Sequence, residues 1–344
     1  MREAMFWEPA ADGRVRCTLC PHLCTLPPGR TGACGVRVHQ DGRLWTRVDR
    51  AVAAHALEPI EKKPLFHFHP GTKTWSLATC GCNLRCSYCQ NWRLSQACKA
   101  PGNRLRGEAM EPEQIVAAAL RARARTIAYT YTEPTVFYEL ALATAEGARH
   151  AGLGNVWVSN GYLAAAPLQR LSPWLDAINV DLKFPDDATY RRVTGARLQP
   201  VLDTIRRCPE LGIWVEVTSL IVPGLNDQDE QIGAMAAHVA AITPDIPWHA
   251  SAFFPAWRLK DRGPTPPQRL LRALALGRQA GLRYVYAGNV PVLGSENTHC
   301  PRCRAVVIER IGYTVVDRHL DAADACAACG TPIAGVGLSA TAQS

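Results

Sequence analysis

Fourteen cysteines fall into three tight groups and three singletons along 344 residues, and this spacing constrains the chain more than any other feature. The first group is Cys17, Cys20, Cys24 and Cys34, the second Cys82, Cys86 and Cys89, and the third Cys300, Cys303, Cys326 and Cys329. Thiolates two residues apart can reach one metal ion, because the turn between them brings both side chains to one side. The stretch Met1–Trp7 has no apolar run ending in a small-residue cleavage site, and no segment approaches the roughly 20 apolar residues needed to span a bilayer. The expected location is therefore the cytoplasm, without a membrane, where cysteines serve metal or redox chemistry in preference to disulfides. Cys98 and Cys208 read as buried free thiols, and Cys80 as a core residue or a redox-sensitive neighbour of the second group.

Between the second and third groups the pattern changes. Short β-rich runs, Trp75–Thr79, Thr126–Tyr131, Asn155–Asn160, Ala177–Lys183, Ile213–Val222, Trp248–Phe254 and Arg283–Asn289, alternate with helical stretches. The helices are read over Pro112–Arg125, Pro134–Ala151, Ala166–Leu175, Gln199–Cys208, Asp227–Ile242 and Pro266–Ala280. Right-handed crossovers make such alternation one parallel sheet or barrel. The reading is an α/β chain with a partial (β/α)6-type TIM barrel over 75–292. It is flanked by a cysteine-rich N-terminal module with its lead-in over 1–74 and a C-terminal module with its tail over 293–344. With 47% hydrophobic residues a sizeable core is available. The net charge of +8 is scattered, without an aromatic-interleaved basic segment, so nucleic acid is not the expected partner.

The loop after the first core strand carries Cys82, Cys86 and Cys89. Three thiolates can hold three irons of a cubane [4Fe–4S] cluster, leaving the fourth iron open to a ligand from outside the protein. The competing readings are a structural zinc, or a closed four-cysteine cluster completed by Cys80 or Cys98. Gly81 suits a sharp turn there, and Tyr88 offers a ring for a flat adenine face. Polar residues gather at strand ends, where barrel sites form: Glu133, Asn160, and Asp181 with Lys183, the last two on one face. The plainer alternatives are a cap or turn role for Glu133 and Asn160, and a structural ion pair for Asp181 with Lys183.

The loop resembles the signature of radical S-adenosylmethionine (SAM) enzymes, and similarity extends along most of the chain. Glu58–His67, Gly81–Trp92, Tyr129–Thr135, Asn179–Lys183, Val222–Asp227, Pro264–Pro266 and Tyr284–Val290 resemble one branch, the radical SAM enzyme of the AmmeMemoRadiSam system. That branch is a relative of the glycyl-radical (pyruvate formate-lyase) activating enzymes. The resemblance implies a barrel of radical SAM type, a [4Fe–4S] cluster on Cys82, Cys86 and Cys89, and SAM chelated to the open iron. It implies reductive cleavage of SAM to methionine and a 5′-deoxyadenosyl radical that abstracts hydrogen. Tyr88, Glu133, Asn160, Asp181 and Lys183 are the implied SAM-binding residues, with Glu133 toward the methionine amino group and Lys183 toward the carboxylate. A one-electron donor of flavodoxin or ferredoxin type is implied, as is a protein substrate or Memo-like system partner; modification of RNA or a small molecule is the alternative. Three positions depart from the pattern: Val158 is apolar where the activating enzymes have an acid, and Ala252 and Phe254 stand where the branch has Arg and His. His249 survives in that segment, and reads equally as a core residue.

In the third group the two pairs are separated by 22 residues that are β-rich around Gly312-Tyr313, close to a zinc-ribbon pattern. Zinc or a rubredoxin-like iron would staple a segment too small to bury its own core, with His299 beside the site and not a ligand. The N-terminal quartet is compatible with zinc, an auxiliary iron–sulfur cluster, or no metal.

Overall fold

The computed structural model describes residues 1–100, 105–290 and 294–340; the boundary expected at 292/293 and the last four residues of the tail lie outside them. Seven parallel strands form its centre: β1 Lys73–Thr79, β2 Thr126–Tyr129, β3 Gly154–Ser159, β4 Ala177–Asp181, β5 Trp214–Ile221, β6 Trp248–Ala252 and β7 Val285–Gly288. Each pairs in parallel with its neighbour in sequence, so the sheet is wound in one direction. The connecting helices are α1 Pro112–Arg121, α2 Tyr138–His150, α3 Ala165–Leu171, α4 Asp187–Thr194, α5 Leu198–Glu210, α6 Asp229–Ala240 and α7 Pro267–Gln279. Six βα units therefore lead to a seventh strand. β1 is buried at every residue after Lys73, as expected of a parallel strand covered on both faces. Among the described residues β7 does not pair with the opposite edge of the sheet, so the barrel is partial.

Local chemistry explains several helix ends. Glu111 and Gln114 form a reciprocal capping box with Pro112 in the first turn of α1. α6 starts two residues later than the sequence reading: Gln228 and Gln231 make its capping box, while Asp227 accepts from Gly224 N at 2.8 Å and closes the preceding turn. Helix α4 was not foreseen, although Asp186 caps it through Thr189 N (2.7 Å) and Gly195 ends it at φ 79°. Eight residues are too few for an apolar stripe to stand out.

The antiparallel strand Ala51–Pro59 was also unforeseen; it pairs along β1 from Val52–Thr79 to Pro59–Lys73. Before it lie two small three-stranded sheets. One joins Arg2–Glu3, Arg43–Thr46 and Arg37–Gln40, the other Trp7–Ala10, Arg14–Cys17 and Thr25–Leu26. Their apolar residues share one continuous core with the barrel. Arg37 is fully buried and ion-paired with Glu139 of α2, and both also bind the Met5 backbone, Arg37 Nη1 to O and Glu139 Oε1 from N, each at 2.7 Å. The C-terminal segment forms a sheet of Thr298–His299, Val306–Ile311 and Thr314–Arg318. It packs on Phe66, Tyr284 and Tyr286, and buried Arg310 reaches Phe66 O at 2.6 Å and Glu61 at 3.7 Å.

Candidate functional site

A cavity of about 470 Å³ opens at the carboxyl ends of the strands, where barrel sites form. One wall is the loop after β1, contributing Cys82, Cys86, Tyr88 and Cys89. Gly81 enters this loop at φ 108°; a Cβ there would stand 2.7 Å from Val36 Cγ1 and 3.1 Å from Cys34 O. Only glycine fits, so the N-terminal module sets the path of the loop. Its far side is tied to the barrel by Arg85 N to Thr194 O (2.9 Å), and the loop is closed on itself by Gln96 Nε2 to Leu84 O (3.0 Å). Cys82 Sγ accepts from Leu84 N at 3.3 Å, and Cys89 Sγ lies 3.1 Å from Ser95 Oγ.

Among the described residues lining this cavity there are three thiols. Cys80 is buried elsewhere, its Sγ 3.3 Å from Arg106 O, and Cys98 is buried against Ser95 O at 3.9 Å. Neither is offered as a fourth ligand. Burial pushes the Cys86 thiol up to about 11, opposed by Lys183. Three soft donors on one wall, with open space before them, suit an iron–sulfur cluster that keeps one position free.

All five residues read from the sequence as cofactor-binding line the same cavity. Glu133 is buried and accepts from Thr135 N (3.1 Å), Thr135 Oγ1 (2.6 Å), Ser159 Oγ (2.8 Å) and Asn160 N (2.8 Å). It caps the turn Pro134–Phe137 and brackets the ends of β2 and β3. Burial, partly offset by these bonds, raises its pKa. Asn160 Oδ1 accepts from Tyr162 N at 2.9 Å; its Nδ2 donates to Asn83 Oδ1 at 2.8 Å and lies 3.7 Å from Cys82 Sγ. The turn role weighed for both residues is therefore present, together with exposure to the cavity. Lys183 Nζ is 2.9 Å from Asp181 Oδ2. Burial opposes its charge, but Asp181, Tyr88 and Cys86 hold its pKa above the ordinary lysine value. Tyr88 is buried, its ring edge-on to Phe184 at 6.2 Å.

A further part of the lining was missed as a site. Glu58, Lys62, Lys63, Tyr131 and Tyr313 form it, the last from the turn of the C-terminal hairpin. Lys63 and Lys62 both ion-pair with Glu58, Tyr131 Oη donates to it at 2.5 Å, and Lys63 Nζ stands 4.7 Å from the Tyr131 ring centroid. Burial would raise the Glu58 carboxyl, but these three donors pull it down to about 2. Tyr131 has φ 59°, a strained conformation for a bulky residue and one that clusters at functional sites. The legible signal was Glu61-Lys62-Lys63-Pro64, adjacent charges between the strand Ala51–Pro59 and β1. Val158 lines the cavity as an apolar residue, while Phe254 is exposed and outside the lining. His249 is a core residue, 2.7 Å from buried Glu216 and stacked on Tyr286 at 5.1 Å.

The C-terminal cysteines form a separate site. The ligand atoms of Cys300, Cys303, Cys326 and Cys329 all lie within 4.8 Å of one another, with sulfurs 3.6 Å apart across Cys300–Cys329 and 3.7 Å across Cys303–Cys326. Four thiolates at about 2.3 Å from one tetrahedral zinc stand about 3.8 Å apart, so the set could bind a single ion. Thr331 holds the Cys329 thiol down to about 6 through hydrogen bonds from its hydroxyl and backbone. His299 bonds Arg304 O at 3.2 Å and is not part of the set.

Residues 76–237 match the model of the radical SAM superfamily. An uncharacterized protein of Methanocaldococcus jannaschii is 44% identical over 335 residues, covering 97% of this chain and 99% of that one. The pyruvate formate-lyase-activating enzyme of Clostridium pasteurianum is 24% identical, covering 45% of this chain and 65% of its own length. The isethionate sulfite-lyase activating enzyme of Nitratidesulfovibrio vulgaris is 30% identical, covering 30% of this chain and 35% of its own. In fold the chain is similar to a radical SAM methyltransferase from Sphaerobacter thermophilus, with TM-score 0.50 at 18% identity over 64% of this chain and 67% of that one. These matches bear out the α/β fold and the kinship with activating enzymes; a [4Fe–4S] cluster and SAM are what the superfamily implies. Among the described residues no helix is long and apolar enough to cross a membrane.

Proposed function

The chain carries a radical SAM domain and is of one family with the Methanocaldococcus protein, and from that premise we propose that it is a radical SAM oxidoreductase acting on a partner protein. The single observation that carries this reading is the cavity with three cysteines on one wall and no fourth among its described lining residues. Cys82, Cys86 and Cys89 would hold a [4Fe–4S] cluster and the cavity would take SAM; supplied with one electron, the pair would provide reductive cleavage of SAM for hydrogen abstraction.

The chain's own residues bind and orient. Lys183, held cationic beside Asp181, presents a positive charge to a carboxylate entering the cavity. Glu133 fixes the backbone of Asn160, and Asn160 in turn holds Asn83 and faces Cys82 Sγ, which sets the orientation of the cysteine loop. The remaining lone-pair capacity of Glu133 Oε2 suits the amino group of SAM. Tyr88 closes the side of the cavity nearest Cys86 and helps to exclude water.

The branch assignment belongs to the same proposal: an AmmeMemoRadiSam-type enzyme, activating a protein in the manner of glycyl-radical activases. It would be supplied by a flavodoxin- or ferredoxin-like donor and act beside a Memo-like partner in the cytoplasm. The partial kinship with two activating enzymes supports a protein substrate. The domain division at 74/75 and 292/293, zinc or iron on the C-terminal quartet, and a metal on Cys17, Cys20, Cys24 and Cys34 complete it. Anaerobic reconstitution, reduction and assay of 5′-deoxyadenosine tests the central claim. Cys86→Ala is expected to lose cleavage entirely; cleavage that persists in the variant rejects the assignment.

A further inference from the structure

The two outer cysteine groups have the same number of thiols but different geometry, and the difference bears on what the N-terminal one holds. Among the described residues the C-terminal quartet is the only set of three or more potential ligands gathered within 4.8 Å. Neither Cys17, Cys20, Cys24 and Cys34 nor Cys82, Cys86 and Cys89 gather that closely. All four instead line one small cavity. Its other walls are largely apolar, including Leu19, Leu26 and Val136, with Asn83 and Thr135 on the barrel side. A cubane seats each thiolate on a different iron, so its four sulfurs stand apart around a core, whereas a single zinc draws them together.

A second observation is independent of the thiols. Arg37, 1% exposed, lines the same cavity, with Nη1 3.9 Å from Cys17 Sγ and Nε without a hydrogen-bond partner. A buried donor left unmatched is costly, and a negatively charged sulfur-rich group in the cavity would satisfy it.

We propose that Cys17, Cys20, Cys24 and Cys34 hold a second, closed iron–sulfur cluster set directly against the three-cysteine loop. The inference rests on the reading that this quartet binds a metal, and goes beyond it in naming the metal group and its neighbour. The two centres are joined by short contacts. Cys34 O accepts from Cys82 N at 3.4 Å, and the His22 ring lies 2.8 Å from Asn83 O. Asn83 also lines the N-terminal cavity while holding Asn160, which faces Cys82 Sγ. One residue therefore separates the two sites. Such a cluster lies within electronic reach of the open one.

The test uses the full chain carrying Cys82→Ala, Cys86→Ala and Cys89→Ala, reconstituted anaerobically with ferrous iron and sulfide. Expected are about four irons and four acid-labile sulfides per chain, with one zinc on the C-terminal quartet. Adding Cys20→Ala and Cys24→Ala is expected to remove the iron and sulfide and leave that zinc, whose retention reports a folded chain. Two zincs and no sulfide would overturn the cluster but keep the metal site. Iron indifferent to Cys20→Ala and Cys24→Ala would overturn both. Neither result touches the SAM-cleavage assay, which reads the other centre. In the reduced parent chain the electron paramagnetic resonance signal is expected to show broadening from two interacting spins; a simple sum of two independent signals overturns the adjacency.

Discussion

The N-terminal and C-terminal cysteine groups have four thiols each, yet the chain builds them in opposite ways. At the C-terminus two tight turns, closed by Cys300 N to Ala305 O (2.8 Å) and Cys326 N to Thr331 O (2.9 Å), bring the sulfurs to single-ion distance. Cys303 is exposed while Cys300 and Cys326 are buried, so this site opens to solvent on one side only. At the N-terminus the thiols face inward around a cavity whose far wall is Asn83, Thr135 and Val136 of the barrel. Count and residue type are the same in both; how closely the sulfurs gather and what surrounds them decide what each can hold. Their attachment is alike, since each module is fastened through a buried Arg–Glu pair, Arg37–Glu139 and Arg310–Glu61.

The strongest way to break the comparison is to withhold the ion proposed for the C-terminal quartet. A structural zinc contributes on the order of 10 kcal/mol to a small domain that cannot fold without it. Chelation is expected to raise hydrogen exchange across residues 298–340 while the strands β1–β6 keep their protection. Equal loosening of the N-terminal sheets would show the two sites to be alike.

Next in size is the loss of an attachment. Arg37→Met leaves Glu139 buried without its partner and is expected to cost about 3–5 kcal/mol in denaturant unfolding. It should also lower the iron content, because the guanidinium faces Cys17. Arg310→Met should destabilise on a similar scale and leave iron unchanged. A variant pair that loses iron equally would erase the distinction.

A smaller effect is expected where the N-terminal module meets the loop. Gly81→Ala places a Cβ against Val36 and the Cys34 carbonyl at a backbone angle that disfavours side chains. The cost is about 1–3 kcal/mol, read as a lower unfolding midpoint, together with weaker retention of cluster iron by Cys82, Cys86 and Cys89.

The smallest concerns Glu58. Its folded pKa, about 2, lies below the ordinary 4.5, so its stabilising effect is complete above pH 4.5 and fades as pH falls toward 2. Glu58→Gln should flatten that acid limb by less than about 1 kcal/mol once solvent screening is counted. An unchanged limb would show that the Lys62, Lys63 and Tyr131 contacts carry no net stability.

The parallel core was legible because its strands are nearly continuous apolar runs separated by helices long enough to show a period. All seven strands appear within a few residues of where the sequence reading placed them. What escaped was short or depended on partners. α4 has a visible cap and a visible terminal glycine but only eight residues between. Ala51–Pro59 mixes alanines with His55 and Glu58, and becomes a strand because β1 offers it an edge. In the site, the loop cysteines and the polar strand ends were legible, since cysteine spacing and side-chain alternation are local. Glu58, Lys62, Lys63 and Tyr313 were not, because they reach the cavity from outside the seven parallel strands.

The sequence by itself determined which residues could ligate metal and that βα units would bring polar strand ends to one rim. Both follow from periodicity and short spacings, which no packing can alter. Only the tertiary structure decided how closely the thiols gather, that the N-terminal quartet lines a cavity beside the cysteine loop, and that Asn83 lies between them. Those are distances between segments distant along the chain, and they are settled by which side chains fill the space between.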